Sequence, residues 1–408
     1  MEEHFLKKKS KVKWLRFGDS NSTYFYKSVK GRVNRNRIDV VTDLARDVVT
    51  GDGVLAAFVS HYEAFLGQQG SCFPFDSQEL FLNRLDSNQA LDMIKNVTAK
   101  EVKDAIFSMG NDKSPSPDGY TACFFKESWD IMANDVILVV QEFFTNGKLL
   151  KELNHTIIAL IPKVASPSRI NDYRPISCCN VLISDNILLT QELMHNYHLD
   201  RGTPRCAFKV DIQKAYDTVD WCFLKEVLLA FGFHVRMVDW IMECVTTTSY
   251  SLCINGVLHG YFKGKRGLRQ GDPLSPYLFT IIMEVLTLML RRKVWDSESF
   301  TYHRHCSKLE LVNLCFADDL FLFAHGDPNS ARVIMEALDE FRNASGLTPS
   351  LPKSMAYFCN VLNHVKLSIL QILPFEEGRL PVKYLGVPLI STRLIYRDLR
   401  RSFTNRIR

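Results

Sequence analysis

Apolar residues along this chain follow two rhythms, short continuous runs and stretches that recur every three to four positions, separated by turns rich in Pro, Gly and Asp. Thr156 to Pro162 reads as a strand with Lys163 directly after it, and Ala207, Phe208 and Val210 read as a second strand ending at Asp211. Leu311 to Phe323 is apolar except for Asn313, Asp318 and Asp319, so it reads as two strands joined at the acidic pair. Trp221, Leu224, Leu228 and Phe231 fall at helical spacing, with Gly232 closing the segment. Thr98-Ala99-Lys100-Glu101 forms a capping box ahead of Val102, Ile106 and Phe107, and the loop that ends this helix holds Pro115, Pro117 and Gly119. Ser275 and Pro276 read as N-cap and first residue of a helix with Leu278, Phe279, Ile282, Leu286 and Leu290 on one side. A helix from Ser330 turns Val333, Ile334, Ala337, Leu338 and Phe341 inward and stops at Gly346. Strands alternating with helices in this way indicate an α+β or α/β chain.

At 408 residues the chain suits two or three domains. Its net charge of +5 hides an uneven distribution: from Met1 to Ile38 eleven Lys and Arg face only Glu2, Glu3 and Asp19, leaving the remainder slightly acidic. That basic stretch is interleaved with Trp14, Phe17, Tyr24, Phe25 and Tyr26, which suits a polyphosphate that also offers bases for stacking. It reads equally as a solvated helix face, and Lys7 to Lys13 also resembles a nuclear-import patch. The 11 cysteines include no C-x-x-C pair, which excludes the common zinc and disulfide frameworks and suits reduced, buried thiols. The longest apolar stretch, Leu274 to Leu290, is interrupted by Pro276 and Glu284, so no membrane span is expected. With no signal peptide recognisable, an intracellular protein is expected, nuclear if expressed.

The adjacent acids Asp318 and Asp319, inside an apolar hairpin, carry the strongest chemical signal. Two ionised carboxylates roughly 4 Å apart repel by about 4 kcal/mol at an effective dielectric near 20. Divalent cations can compensate that repulsion, and two such ions stabilise both the attacking and the leaving oxygen of a phosphoryl transfer. Asp211, at another strand end, would add a third carboxylate. The pair could instead be a polar type I′ turn, and Asp211 alone could be an acid leading a helix.

Read together, three segments resemble, in order, the palm motifs A, B and C of LINE-type (non-LTR) reverse transcriptases. They are Ala207-Phe208-Lys209-Val210-Asp211-Ile212-Gln213-Lys214-Ala215-Tyr216-Asp217, Gly267-Leu268-Arg269-Gln270-Gly271-Asp272-Pro273-Leu274-Ser275-Pro276 and Phe316-Ala317-Asp318-Asp319. Leu160-Ile161-Pro162-Lys163 and Tyr173-Arg174-Pro175-Ile176-Ser177 resemble the fingers motifs, and Pro115-Ser116-Pro117-Asp118-Gly119 the loop before them. Gly346 to Ser354 resembles motif D, Tyr384-Leu385-Gly386-Val387-Pro388-Leu389 the primer grip, and Trp14-Leu15-Arg16-Phe17-Gly18-Asp19-Ser20-Asn21 the segment preceding the polymerase in plant members.

The resemblance implies an α+β right-hand polymerase fold: a basic N-terminal extension over 1–92, fingers over 93–205, a palm with primer grip over 206–390 and the start of a thumb over 391–408. It implies an RNA-directed DNA polymerase with two Mg²⁺ ions, or Mn²⁺, held by Asp211, Asp318 and Asp319. An RNA template, a DNA primer and deoxynucleoside triphosphates would be its partners. Lys163 and Arg174 would neutralise the triphosphate, Gln270 and Gly271 would contact the nucleotide, and Lys353 would protonate the leaving pyrophosphate. Tyr216 would stand beneath the sugar and reject a 2′-hydroxyl; its bland alternative is core packing. Tyr384, Leu385 and Gly386 would guide the primer strand.

One departure stands out. Relatives carry a few dozen residues between the segments matching Asn180-Val181-Leu182 and Ile183-Ser184-Asp185-Asn186-Ile187-Leu188-Leu189, and they are missing here. The expectation is therefore a polymerase core that is inactive as written. The alternative is a catalytically dead relic that retains RNA binding.

Overall fold

A computed structural model of the chain describes residues 30, 37–70, 73–75, 80–111, 121–164, 166–175, 190, 193, 194, 197, 202–316, 318–384 and 387–389. Most of the basic N-terminal stretch, the Pro115 to Gly119 loop and the Leu182–Ile183 join lie outside the described residues.

The first described elements are β1 (Val40–Thr42), β2 (Val48–Thr50) and α1 (Asp52–Leu66). Then come α2 (Ser87–Asp92), α3 (Ala99–Ser108), α4 (Ala122–Glu127) and α5 (Trp129–Asn146). The Thr98–Glu101 capping box forms as read from the sequence, each side chain bonding the other's backbone N–H. Strands β3 (His155–Pro162) and β4 (Tyr173–Pro175) precede β5 (Arg205–Asp211). A four-residue helix α6 (Ala215–Thr218) leads to α7 (Trp221–Ala230) and α8 (Val235–Thr246), followed by the hairpin β6 (Ser249–Ile254) and β7 (Val257–Lys263). The long α9 (Ser275–Trp295), β8 (Asn313–Phe316), β9 (Asp319–His325) and α10 (Pro328–Ser345) come next. After them lie β10 (Met355–Cys359), α11 (Asn363–Ile372), β11 (Glu376–Glu377), β12 (Val382–Tyr384) and β13 (Val387–Leu389).

Two helices begin earlier than their sequence signals suggest. The expected N-cap Ser275 is itself the first residue of α9, because Asp272 already turns the chain, its carboxylate accepting the Leu274 N–H at 2.9 Å. α10 opens at Pro328 rather than Ser330, because Asp327 is the N-cap and accepts the Ser330 N–H at 2.8 Å.

Five strands form the central sheet, in the order β11-β10-β5-β9-β8. Side chains alternate across a strand, and both faces of this sheet are covered. Cys206, Phe208 and Val210 of β5 and Leu320, Leu322 and Ala324 of β9 face α7, α9 and α10 in the largest core. Ala207 of β5 and Phe321 and Phe323 of β9 face the opposite way, into a smaller core closed by Tyr197, Tyr357, Tyr384 and Leu389. The second sheet has the order β4-β3-β6-β7, with β3 and β6 parallel. Its core takes Val54, Phe58, Tyr62 and Leu66 from one face of α1. Residues within 1–92 thus share this sheet's core with β3, β6 and β7, and the sheet takes its strands from both sides of residues 205/206. Among the described residues no helix is long and apolar enough to cross a membrane.

Candidate active site

The acidic end of the central sheet is set by register. β5 and β9 pair antiparallel over their whole length, which brings Asp211 directly opposite Asp319, and the β8–β9 hairpin sets Phe316 opposite Asp319 on the other side. Strand alternation puts Asp211, Asp319 and Lys209 on the same face as Phe321 and Tyr384. Asp318 stands exposed in the turn, and burial, with Asp318 and Asp319 adding to it, holds the neighbouring Cys315 thiol above its usual range.

Each opposed acid has a lysine against it. Lys353 Nζ lies 3.7 Å from Asp211 Oδ1, and Lys209 Nζ lies 3.5 Å from Asp319 Oδ1. Both carboxylates keep about a third of their surface, 35% and 34%, so a ligand can reach them. Ser354 Oγ accepts the Asp211 N–H at 3.2 Å, and the Ser350 N–H donates to the Asp211 carbonyl at 2.7 Å, which pins the strand end to the segment carrying Lys353. Among the described residues no group of three His, Cys, Asp or Glu side chains stands ready to hold a metal ion. The opposed pair nevertheless has the chemistry that Mg²⁺ prefers, a few carboxylate oxygens with room for substrate phosphates.

Beside this sheet end, α6 and the loop that follows β7 lock together through backbone bonds. The Leu268 N–H donates to the Tyr216 carbonyl at 2.6 Å and the Gly267 N–H to the Val219 carbonyl at 2.8 Å. Gly267 has φ +86°, and a Cβ there would lie 2.6 Å from the Asp217 carbonyl oxygen, so only glycine fits. Tyr216 is half-buried and stacks on Phe279 of α9, ring centroids 4.5 Å apart. It therefore does pack on the core, and it does so from the rim of the site. Gln270 is half-buried, and its amide Nε2 donates to Asp217 Oδ1 at 3.0 Å; Gly271 next to it is exposed.

Lys163 is exposed after β3, its ammonium donating to the Asn171 carbonyl at 2.7 Å. Arg174 lies in β4, paired with Ile161. Tyr384 is fully buried in β12, edge-on to Phe321 at 5.0 Å, while Leu385 and Gly386 lie outside the described residues. The structure thus groups Asp211, Asp319 and Lys353 at one sheet end, with Tyr216 and Gln270 on the adjoining lock.

Sequence reading passed over Asp217. It is 8% exposed, and burial pushes its carboxyl up to about 6 against the opposing pull of Lys214, the Gln270 hydrogen bond, Lys163 and Arg266. The signal that could have found it is its place in the same motif segment as Asp211.

Residues 149–389 match the family described as Reverse transcriptase (RNA-dependent DNA polymerase). The chain belongs to that family, and its mixed helix and strand content is that of an α+β polymerase fold. It is 26% identical over 230 residues to the Transposon TX1 uncharacterized 149 kDa protein of Xenopus laevis, covering 48% of this chain and 18% of that protein. It is 24% identical over 334 residues to the Retrovirus-related Pol polyprotein from type-2 retrotransposable element R2DM of Drosophila melanogaster, covering 72% and 30%. It is 31% identical over 148 residues to the Pol polyprotein from type-1 retrotransposable element R2 of Popillia japonica, covering 36% and 23%. These relatives put it on the LINE-type, non-LTR retrotransposon side of the family. The chain spans less than a third of the length of each of them. Reverse transcriptases generally depend on a divalent metal, and the family works on an RNA template with nucleotide substrates.

Proposed function

We propose that this chain is the polymerase core of a LINE-type element, built as a right hand to copy RNA into DNA, and that it is inactive as written. The observation that carries the reading is Asp211 facing Asp319 across β5 and β9, in a chain of this family. The central sheet with α7, α9 and α10 serves as palm, the four-stranded sheet as part of the fingers, and Tyr384 to Gly386 as primer grip.

Asp211, Asp318 and Asp319 hold Mg²⁺, with Mn²⁺ as a substitute; when bound, the metal supplies charge stabilisation for the attacking and leaving oxygens. Lys353 gives a proton to departing pyrophosphate, a role supported by its ammonium lying within 3.7 Å of Asp211. Lys163 and Arg174 neutralise the triphosphate, Gln270 and Gly271 contact the nucleotide, and Tyr216 occupies the space a 2′-hydroxyl would need.

Inactivity follows from the missing fingers segment between Leu182 and Ile183. Phosphoryl transfer is mostly positioning and charge stabilisation, so acids without an aligned template and nucleotide yield little rate.

Primer extension on an RNA template with Mg²⁺ tests both claims, comparing the chain as written with a version that carries a relative's segment at 182/183. The expected result is extension by the restored version alone, lost on Asp319→Asn. Equal extension by both would sink the inactivity claim. RNA binding without extension by either would favour a catalytically dead relic.

A further inference from the structure

Lys209 touches an acid of the candidate site, yet the motif resemblance gives it no role. It lies on β5 two positions before Asp211, so strand alternation turns both side chains to one face of the sheet. β5 is the middle strand, and its antiparallel neighbours set Phe321 of β9 and Met355 of β10 directly opposite Lys209. Directly opposed residues share a face with Cβ atoms about 4.5–5.5 Å apart, so the aliphatic stem of Lys209 is flanked on both sides. Phe321 is fully buried and backed by Tyr384, edge-on at 5.0 Å, which makes that flank unyielding. From this slot the ammonium reaches its diagonal neighbour, Nζ 3.5 Å from Asp319 Oδ1.

The two lysines of the site differ in freedom. The side chain of Lys209 is 20% exposed, that of Lys353 69%. Lys353 ends a short 3-10 turn, Leu351–Lys353, and can swing into solvent when another cation approaches Asp211. Lys209 stands on a central strand with its stem enclosed, so its charge stays beside Asp319.

We propose that Lys209 is a fixed counter-cation of the acidic site, a positioning residue that holds the Asp319 carboxylate in place and weakens the grip of the acids on a divalent ion. This rests on the reading of Asp211 and Asp319 as metal ligands. Lys353 shares the first task in the metal-free protein but not the second, because it can leave. A positive charge that cannot leave repels a divalent ion at the neighbouring carboxylate, and partial burial strengthens that repulsion. A divalent ion therefore stays exchangeable at this sheet end instead of being held as a permanent structural ion.

Titration of Mn²⁺ into the full chain, with free Mn²⁺ read by electron paramagnetic resonance, tests this; the binding that counts is the part removed by Asp319→Asn. Lys209→Met keeps an aliphatic stem without the charge and should tighten that binding roughly tenfold, the scale of one nearby charge in partly buried surroundings. Lys209→Arg should leave it at the original value, and Lys353→Met, at an exposed lysine, should shift it by less than about threefold. Thermal unfolding gives a second readout. Without metal Lys209→Met should melt below the original chain, because the facing acids lose a compensating charge, and saturating Mn²⁺ should close the gap.

Circular dichroism establishes that each variant is folded, and Lys209→Gln carries the same expectations should Lys209→Met not fold. If Asp319→Asn removes Mn²⁺ binding while Lys209→Met lowers metal-free stability with unchanged affinity, Lys209 is structural only: the proposal falls and the metal site stands. Equal tightening by Lys353→Met and Lys209→Met would also overturn it, since the lysine that can leave would then matter as much as the one that cannot. If Asp319→Asn leaves Mn²⁺ binding as it was, or no variant binds Mn²⁺, the reading of the acids as metal ligands fails together with the proposal.

Discussion

Asp211 and Asp319 sit opposite each other on adjacent antiparallel strands, and each carboxylate has a lysine ammonium within 3.7 Å, Lys353 and Lys209 respectively. Facing acids in a strand pair oppose folding, and the two lysines offset that cost in the metal-free protein.

The pairing yields a prediction for Asp319→Asn. Relief of repulsion with Asp211 and loss of the Lys209 contact act in opposite directions, so metal-free stability should stay within about 1 kcal/mol of the unmodified chain. The rise in melting temperature on adding Mg²⁺ should disappear. Thermal unfolding with and without Mg²⁺ checks it; a variant stabilised by the ion as strongly as the original would remove Asp319 from the metal site.

Gly267→Ala should destabilise the chain by about 2 kcal/mol or more, because a side chain is strained at this backbone angle and meets the Asp217 carbonyl. The lock between α6 and the loop after β7 should loosen with it. Urea unfolding gives the magnitude, and an unchanged midpoint would mean that the loop shifts freely.

Tyr216→Ala removes the stack on Phe279 and should cost about 1 kcal/mol. In a version with the fingers segment restored, it should also raise ribonucleotide incorporation while deoxynucleotide use persists, whereas Tyr216→Phe should change neither. Unaltered sugar discrimination by Tyr216→Ala would leave the residue as packing alone.

Asp217 makes stability depend on pH in a defined direction. Its folded value of about 6 exceeds the free value of 3.8, so between them the folded state holds more protons than the unfolded one, and stability falls as pH rises through this window. Above it the penalty is constant at up to about 3 kcal/mol, from roughly two units of difference at 1.36 kcal/mol each. Asp217→Asn should therefore be more stable than the original at pH 7 and equal to it near pH 3.5. Comparing the two proteins cancels the opposite trend from His61, which is lowered to about 4 and destabilises the fold as it charges in acid. Equal denaturation midpoints at pH 7 would contradict the buried charge.

Much of the architecture was written locally. The strand ending at Asp211, the hairpin around Asp318 and Asp319, the Thr98–Glu101 cap and the apolar face of α10 ending at Gly346 all follow from periodicity and capping, which act between residues a few positions apart. Helix starts were less legible, since Asp272 and Asp327 took over the turns that Ser275 and Ser330 seemed to mark.

What only the tertiary structure decided is which distant residues meet. The facing of Asp211 and Asp319 depends on the register of β5 against β9, and a shift of one residue would turn one of the acids to the other side of the sheet. Lys209 reads as an ordinary cation, and Lys353 has a role only through the resemblance, until pairing and the Ser354 contact bring both to those acids. The joining of Phe65 to Lys214 and Arg266 requires α1 to dock on a loop some two hundred residues away. No local pattern encodes that docking, because it comes from apolar faces closing on one another and carrying their charged neighbours along.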